Sequence, residues 1–222
     1  MSDFLFDELK PILDYYPIQY GNAKIVSSSD IPANFRLTVN DLQWCVLRND
    51  NREMRQLFLE LNRSSGDVVT TGLGFGIVQS YLLTKKDITS LTVFEKSLDV
   101  IEIFKETCKM NDFDITRLNI INDDANNMKN ITCDWLIMDH FEGIHQPAWE
   151  IIDSVRTITS NNNAKNVWFW SIIKTYDNFC KMKQLNINVE SFNIFVNVLN
   201  IKKIYIVSNE EIEYIKKVIL ES

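Results

Sequence analysis

From Asp67 onward, short apolar runs alternate with segments whose apolar residues recur at helical spacing. Val68 to Thr71, Leu91 to Phe94, Leu118 to Ile121, Trp135 to Met138 and Asn166 to Trp170 read as strands. They are short and almost continuously apolar, as strands buried on both faces must be. Between them, Ile77 to Leu83, a stretch from Ser97 to about Met110, and Ala148 to Ile158 read as helices. Val100, Ile101 and Phe104 give the second helix an inward face, and Ser97 suits its N-cap. Strand and helix in regular alternation predict parallel βαβ units. Beyond the fifth strand the pattern predicts a helix near Asp177 to Lys183 and an apolar segment from Phe192 to Leu199. A strand from Lys203 to Val207 and a terminal helix from Glu210 to Leu220 follow. Before residue 66 the pattern is looser. Phe4, Leu5, Leu9, Ile12 and Leu13 suit a short amphipathic helix over residues 3 to 15, and Ala23 to Val26 and Arg36 to Val39 suit short strands. Met54, Leu57, Phe58 and Leu61 suit a helix over Arg52 to Leu61. The chain therefore divides into an N-terminal extension, residues 1–65, and an α/β domain, residues 66–222.

The join between the first strand and the first helix is Thr71-Gly72-Leu73-Gly74-Phe75-Gly76. Three of the chain's six glycines stand here at alternate positions. That spacing suits a backbone that turns tightly and lets a ligand approach to contact distance. Glu95 follows Gly76 by nineteen residues at the end of the second strand, near the interval at which nucleotide-binding α/β units place an acid on ribose hydroxyls. The third strand ends at Asp123-Asp124-Ala125, the fourth at Asp139-His140-Phe141-Glu142. In open α/β sheets ligands bind outside the carboxyl ends of the strands, so these groups converge if the sheet is Rossmann-like and doubly wound, with helices on both faces. Asp139 closes a very apolar strand, where a carboxylate is costly unless paired or wet. His140 could act as a base near neutral pH. Trp135, Trp168 and Trp170 read as core.

Composition narrows the partners. A formal charge of −7 argues against strong binding to a phosphate backbone, so nucleic acid is disfavoured and small neutral or cationic molecules are favoured. Cys45, Cys108, Cys133 and Cys180 show no metal-ligand spacing and read as reduced thiols, and no metal is expected. The acidic start and the absence of an apolar run near the roughly 18 residues that cross a bilayer predict a cytoplasmic protein without membrane attachment. Lys203 to Val207 offers an edge strand through which a homodimer could pair.

Strand by strand, the order glycine turn, Glu95, Asp123-Asp124, Asp139 resembles the class I S-adenosylmethionine-dependent methyltransferases over about Gly66 to Ser171. The resemblance implies that Gly72, Gly74 and Gly76, with Thr71, Leu73 and Phe75 between and beside them, hold the methionyl part of S-adenosylmethionine. It further implies that Glu95 beside Lys96 takes the ribose, and that Asp123 or Asp124 takes the adenine amino group, Asp124 being favoured because Asp124-Ala125 resembles the family's Asp-Ala pair. Asp139 would position the cofactor or act as base, with His140 or Glu142 assisting. The implied reaction is direct in-line methyl transfer to a small-molecule amine or hydroxyl. The family usually has an acid where Thr70 stands. The chain is also similar to the polyamine aminopropyltransferases of the spermidine synthase family, which lack that acid and use decarboxylated S-adenosylmethionine. Their strand-four Asp-x-x-Asp is matched by Asp139-His140-Phe141-Glu142, and Asp41-Leu42-Gln43 and Glu53-Met54 resemble their N-terminal hairpin and following helix. Their glycine loop, however, carries an Asp where Phe75 stands. A nicotinamide dehydrogenase would want the third glycine one residue later. A nucleoside-binding protein of the same fold without transfer activity is the remaining alternative.

Overall fold

A computed structural model of the chain describes residues 12–28, 34–47, 61–141, 148–201, 208–210, 212–213 and 216. Near the N-terminus, alternating small apolar and polar residues fold into a four-stranded antiparallel meander, β1 (Ile18–Tyr20), β2 (Ala23–Ser28), β3 (Asn34–Val39) and β4 (Leu42–Leu47). The β3–β4 hairpin turns on Asn40 and Asp41, at φ 51° and 60°. A two-residue turn of this type needs left-handed backbone at both central positions, and Asn and Asp are the side chains that tolerate it best. Ala23, Ile25, Leu37, Val39 and Leu47 form the sheet's buried face. The predicted strands at 23–26 and 36–39 lie within β2 and β3, whereas β1 and β4 extend the sheet beyond them. Ile12 and Leu13 stand in bends rather than in the predicted helix. Asp14 and Tyr15 are not helical either; residues 3–11 of that helix, and the one over Arg52 to Leu61 apart from Leu61, lie outside the described residues.

The second sheet is parallel and Rossmann-like. Its strands are β5 (Gly66–Thr71), β6 (Ile88–Phe94), β7 (Leu118–Ile121), β8 (Thr132–Met138) and β9 (Asn163–Phe169), in the order β7-β6-β5-β8-β9. The chain steps outward from β5 to β7, then returns to β8 on the other side of β5. The order thus reverses at the β5–β8 pair, where such sheets open a crevice. Register carries this further. Thr71 pairs with both Phe94 and Met138, Phe94 with Ile121, and Met138 with Phe169. All five strands therefore end in one row, and the residues just beyond them share one edge.

Helices α1 (Ile77–Thr84), α2 (Leu98–Met110) and α3 (Ala148–Asn161) connect these strands, and α4 (Ile172–Lys183) and α5 (Val189–Leu199) follow. One apolar cluster joins β5, β8 and β9 to residues of α1, α3, α4 and α5. A second joins the N-terminal meander to Val100, Ile101, Ile103 and Phe104 of α2 and to Leu73 and Phe75 of the glycine turn. Trp135 and Trp168 are core residues. Helix α4 begins five residues earlier than the charged stretch at Asp177 suggests, because Ile172, Ile173, Tyr176, Phe179 and Cys180 form its buried face. The apolar segment Phe192 to Leu199 is helical, and its start is fixed by a reciprocal cap between Asn188 and Ser191. The strand at 203–207 and most of the terminal helix lie outside the described residues. Among the described residues, no helix is long and apolar enough to cross a membrane, and the four cysteines are free thiols.

Candidate functional site

The site begins with the glycine turn. Gly72, Gly74 and Gly76 all have positive φ, at 78°, 52° and 74°. Space demands two of them as well: a Cβ on Gly72 would lie 2.3 Å from the Asp139 carbonyl oxygen, and one on Gly76 would lie 2.1 Å from the Phe104 ring. Gly74 differs, since its nearest neighbour would be Cys45 Sγ at 3.5 Å. Its bare backbone faces an open cleft. Beyond the strand ends the backbone ladder runs on, with the amides of Gly72 and Asp139 donating to Phe94 and Thr71 at 2.8 and 3.0 Å.

Glu95 fastens the turn to the neighbouring strand. Its Oε2 accepts from the Leu73 amide and its Oε1 from the Ser97 amide, both at 2.8 Å. The side chain is buried, and that burial pushes its carboxyl above the usual range against the pull of the backbone donors. Next to it, Lys96 Nζ lies 5.1 Å from the centre of the Trp44 ring, within cation–π range. Beyond β7, Asp124 caps a short 3₁₀ turn, Ala125–Asn127. Its Oδ1 accepts from the backbone amide and the side-chain Nδ2 of Asn126, at 2.8 and 2.9 Å. Asp123 is exposed and braces the same loop through the Asp124 amide and Asn127.

Past β8, Asp139 is half-buried and His140 is drawn inward. Thr71 Oγ1 lies 2.6 Å from His140 Nδ1, and Ser154 Oγ lies 3.3 Å from Nε2. Burial holds the imidazole pKa down at about 4; the nearby Lys96 adds to this and Asp124 opposes it.

These elements enclose one open cleft of about 940 Å³, its mouth included. Of the residues singled out on sequence, Gly72, Gly74, Glu95, Lys96, Asp124, Ala125, Asp139 and His140 line it. Thr71 reaches it only through His140, and Asp123 does not line it. Leu73 and Phe75 send their side chains into the second apolar cluster, and the Tyr15 hydroxyl donates to the Phe75 carbonyl at 2.9 Å. Gly76 is closed off by Phe104. Glu142 lies outside the described residues, as does His145. The cleft also takes Phe94 and Phe141 from the strand-end stretches themselves, and Trp44 and Cys45 from β4, Asn126 and, from α3, Ser154, none of which that pattern marks. Asn126 has a faint signal, since an Asn two residues after an Asp suits a local turn. Trp44 directly follows the Asp41-Leu42-Gln43 stretch, yet Gln43 itself is exposed. Ser154 carries no local signal. Among the described residues no group of His, Cys, Asp and Glu side chains could hold a metal ion.

No family model matches the chain, and no curated protein matches it either. Solved structures do resemble it. Spermidine synthase from Thermotoga maritima aligns at a TM-score of 0.46 and 16% identity, over 69% of this chain and 55% of that one. An S-adenosylmethionine-dependent methyltransferase from Clostridium acetobutylicum aligns at a TM-score of 0.35 and 12% identity, over 50% of this chain and 44% of that one. The chain thus spans about half the length of these structures.

Proposed function

We propose that the cleft binds S-adenosylmethionine and that the protein transfers its methyl group to a small acceptor bearing an amine or hydroxyl. One observation carries this reading. The strand ends are in register, so Gly74, Glu95, Asp124 and Asp139 face one cleft at the point where the strand order reverses.

The residues suit an adenosyl ligand group by group. The bare backbone at Gly74 leaves room for the methionyl chain, with Gly72 beside it on the cleft wall. Glu95 already accepts backbone amides on both oxygens, and its carboxylate lines the cleft where a ribose diol would meet it. Asp124 has Oδ1 committed to Asn126, which leaves Oδ2 to accept an exocyclic amine. The cofactor supplies a sulfonium, whose thioether is a good leaving group, so the protein's task is alignment. Holding acceptor and methyl donor in line can lower a barrier by ~7–11 kcal/mol. Where the acceptor is protonated, Asp139 is the group placed to take the proton.

Aminopropyl transfer is the second reading, favoured by the antiparallel hairpin that brings Trp44 and Cys45 to the cleft. Against it, the position at which the spermidine synthase family carries an Asp is Phe75, packed edge-on against Tyr15 with ring centres 5.2 Å apart.

Calorimetric titration with S-adenosylmethionine, S-adenosylhomocysteine, decarboxylated S-adenosylmethionine and NAD separates these readings. Preference for the first two supports methyl transfer and licenses an acceptor screen. Preference for the decarboxylated form moves the assignment to aminopropyl transfer. Binding of NAD alone, or of none, overturns the cofactor assignment. A ligand bound but turned over with no acceptor would leave a nucleoside-binding protein.

A further inference from the structure

Asp124 and His140 follow different strands, and an unbroken line of hydrogen bonds joins them. Its direction can be read from one end. A carboxylate only accepts, so Asn126 donates its Nδ2 to Asp124 Oδ1 at 2.9 Å and turns its Oδ1 toward α3. There Oδ1 accepts from Ser154 Oγ at 3.0 Å, which uses the only proton of that hydroxyl. Ser154 therefore meets His140 Nε2 as an acceptor, and the imidazole proton sits on Nε2. Nδ1 is left as an acceptor, and Thr71 Oγ1 donates to it at 2.6 Å.

We propose that Asp124, Asn126 and Ser154 form a polarised relay that locks His140 in its neutral Nε2–H form, with Nδ1 closed by Thr71. Asn126 and Ser154 are then positioning residues. Through them the carboxylate at the base-binding end of the cleft sets the orientation and proton of the ring at the acceptor end. Naming those two ends rests on the adenosyl reading above; the relay itself does not. A further consequence follows for the chemistry. With one nitrogen protonated and the other covered, His140 serves as a fixed wall of the acceptor site and not as its base. Burial, which holds the ring neutral at physiological pH, agrees with this.

The test is nitrogen NMR on the full chain. Only two histidines are present, so a His145→Gln background leaves His140 as the reporter. Near neutral pH, the relay requires a protonated Nε2 and an unprotonated Nδ1 in the ligand-free protein. Ser154→Ala should replace this single tautomer by a mixture, and Ser154→Thr should restore it. Asp124→Asn removes the obligate acceptor, so the line can reverse and place the proton on Nδ1. A wild-type ring protonated on Nδ1 or averaging between tautomers would overturn the proposal. So would Ser154→Ala and Asp124→Asn spectra that both match the wild type. Because the tautomer is read without ligand, it decides the relay even if S-adenosylhomocysteine fails to bind, a result that overturns the cofactor reading alone.

Discussion

Glu95 is buried and His140 half-buried, and their withdrawal from water moves them in opposite senses with respect to acid. For His140 the folded value of about 4 lies below the ordinary 6.5 of an unfolded chain. Above 6.5 the ring is neutral in both states and stability is complete. Between 6.5 and 4 only the unfolded chain takes the proton, so stability falls as pH falls, by about 3 kcal/mol at most. Glu95 has a raised folded value, so its contribution is lost as pH rises through that value. Denaturant melts of wild type and His140→Gln at pH 7 and pH 4.5 isolate the first effect: the gap between the two proteins should shrink or reverse on acidification. Glu95→Gln is a sharper change than it looks. The amide can accept one of the Leu73 and Ser97 amides but must aim N–H at the other, so a loss of about 1–3 kcal/mol is expected even without ligand. Thermal melts check the stability, and titration with S-adenosylhomocysteine should show a weakening of at least about tenfold from the same lost contacts. Asp139→Asn, by contrast, should keep nucleoside affinity and abolish turnover if Asp139 is the base; loss of both would assign it to binding. The sequence reveals Gly72, Glu95 and Asp139 because each directly follows a strand, and Asp124 because it stands three residues beyond one. It hides Ser154, whose contacts to His140 and Asn126 cross fourteen and twenty-eight positions of chain with no spacing to mark them.

Among elements, the glycine turn and α1 depend on what packs behind them. Gly76 begins α1 with left-handed backbone and lies against the Phe104 ring of α2. Gly76→Ala must strain the backbone and displace a fully buried aromatic, so a loss of about 2–4 kcal/mol is expected, measurable as a shifted denaturant midpoint with an unchanged slope. Tyr15→Phe tests the same region more gently, because it leaves the ring and strands the Phe75 carbonyl; about 1–2 kcal/mol is expected in the same measurement. The βαβ elements are legible because strands buried on both faces need continuous apolar runs. Strands β1 and β4 are not, because they keep Gln19, Tyr20, Leu42 and Gln43 exposed, and a sheet with one wet face leaves only a short, broken alternation. The early start of α4 was hidden by its chemistry: its first turn is apolar enough to pass for the tail of β9.

At the scale of the molecule, the cleft draws on the middle of β4, on the strand ends from β5 to β8 and on α3, so it needs the meander docked and the parallel sheet closed. A ligand that binds this assembly and not the open chain must stabilise it. At about 100 times its dissociation constant, S-adenosylhomocysteine should add about 2.7 kcal/mol, raising Tm by about 5–10 °C for a domain of this size. Calorimetry or a dye-monitored melt reads this directly, and no shift at saturation would overturn the cofactor reading. Trp44 has a further consequence. Of the chain's five tryptophans, it is the one that lines the cleft among the described residues. Its indole already sits beside the charge of Lys96. The protein thus carries its own optical gauge: an arriving purine would change the colour and brightness of Trp44 emission, and the filling of the cleft could be followed in real time without a label.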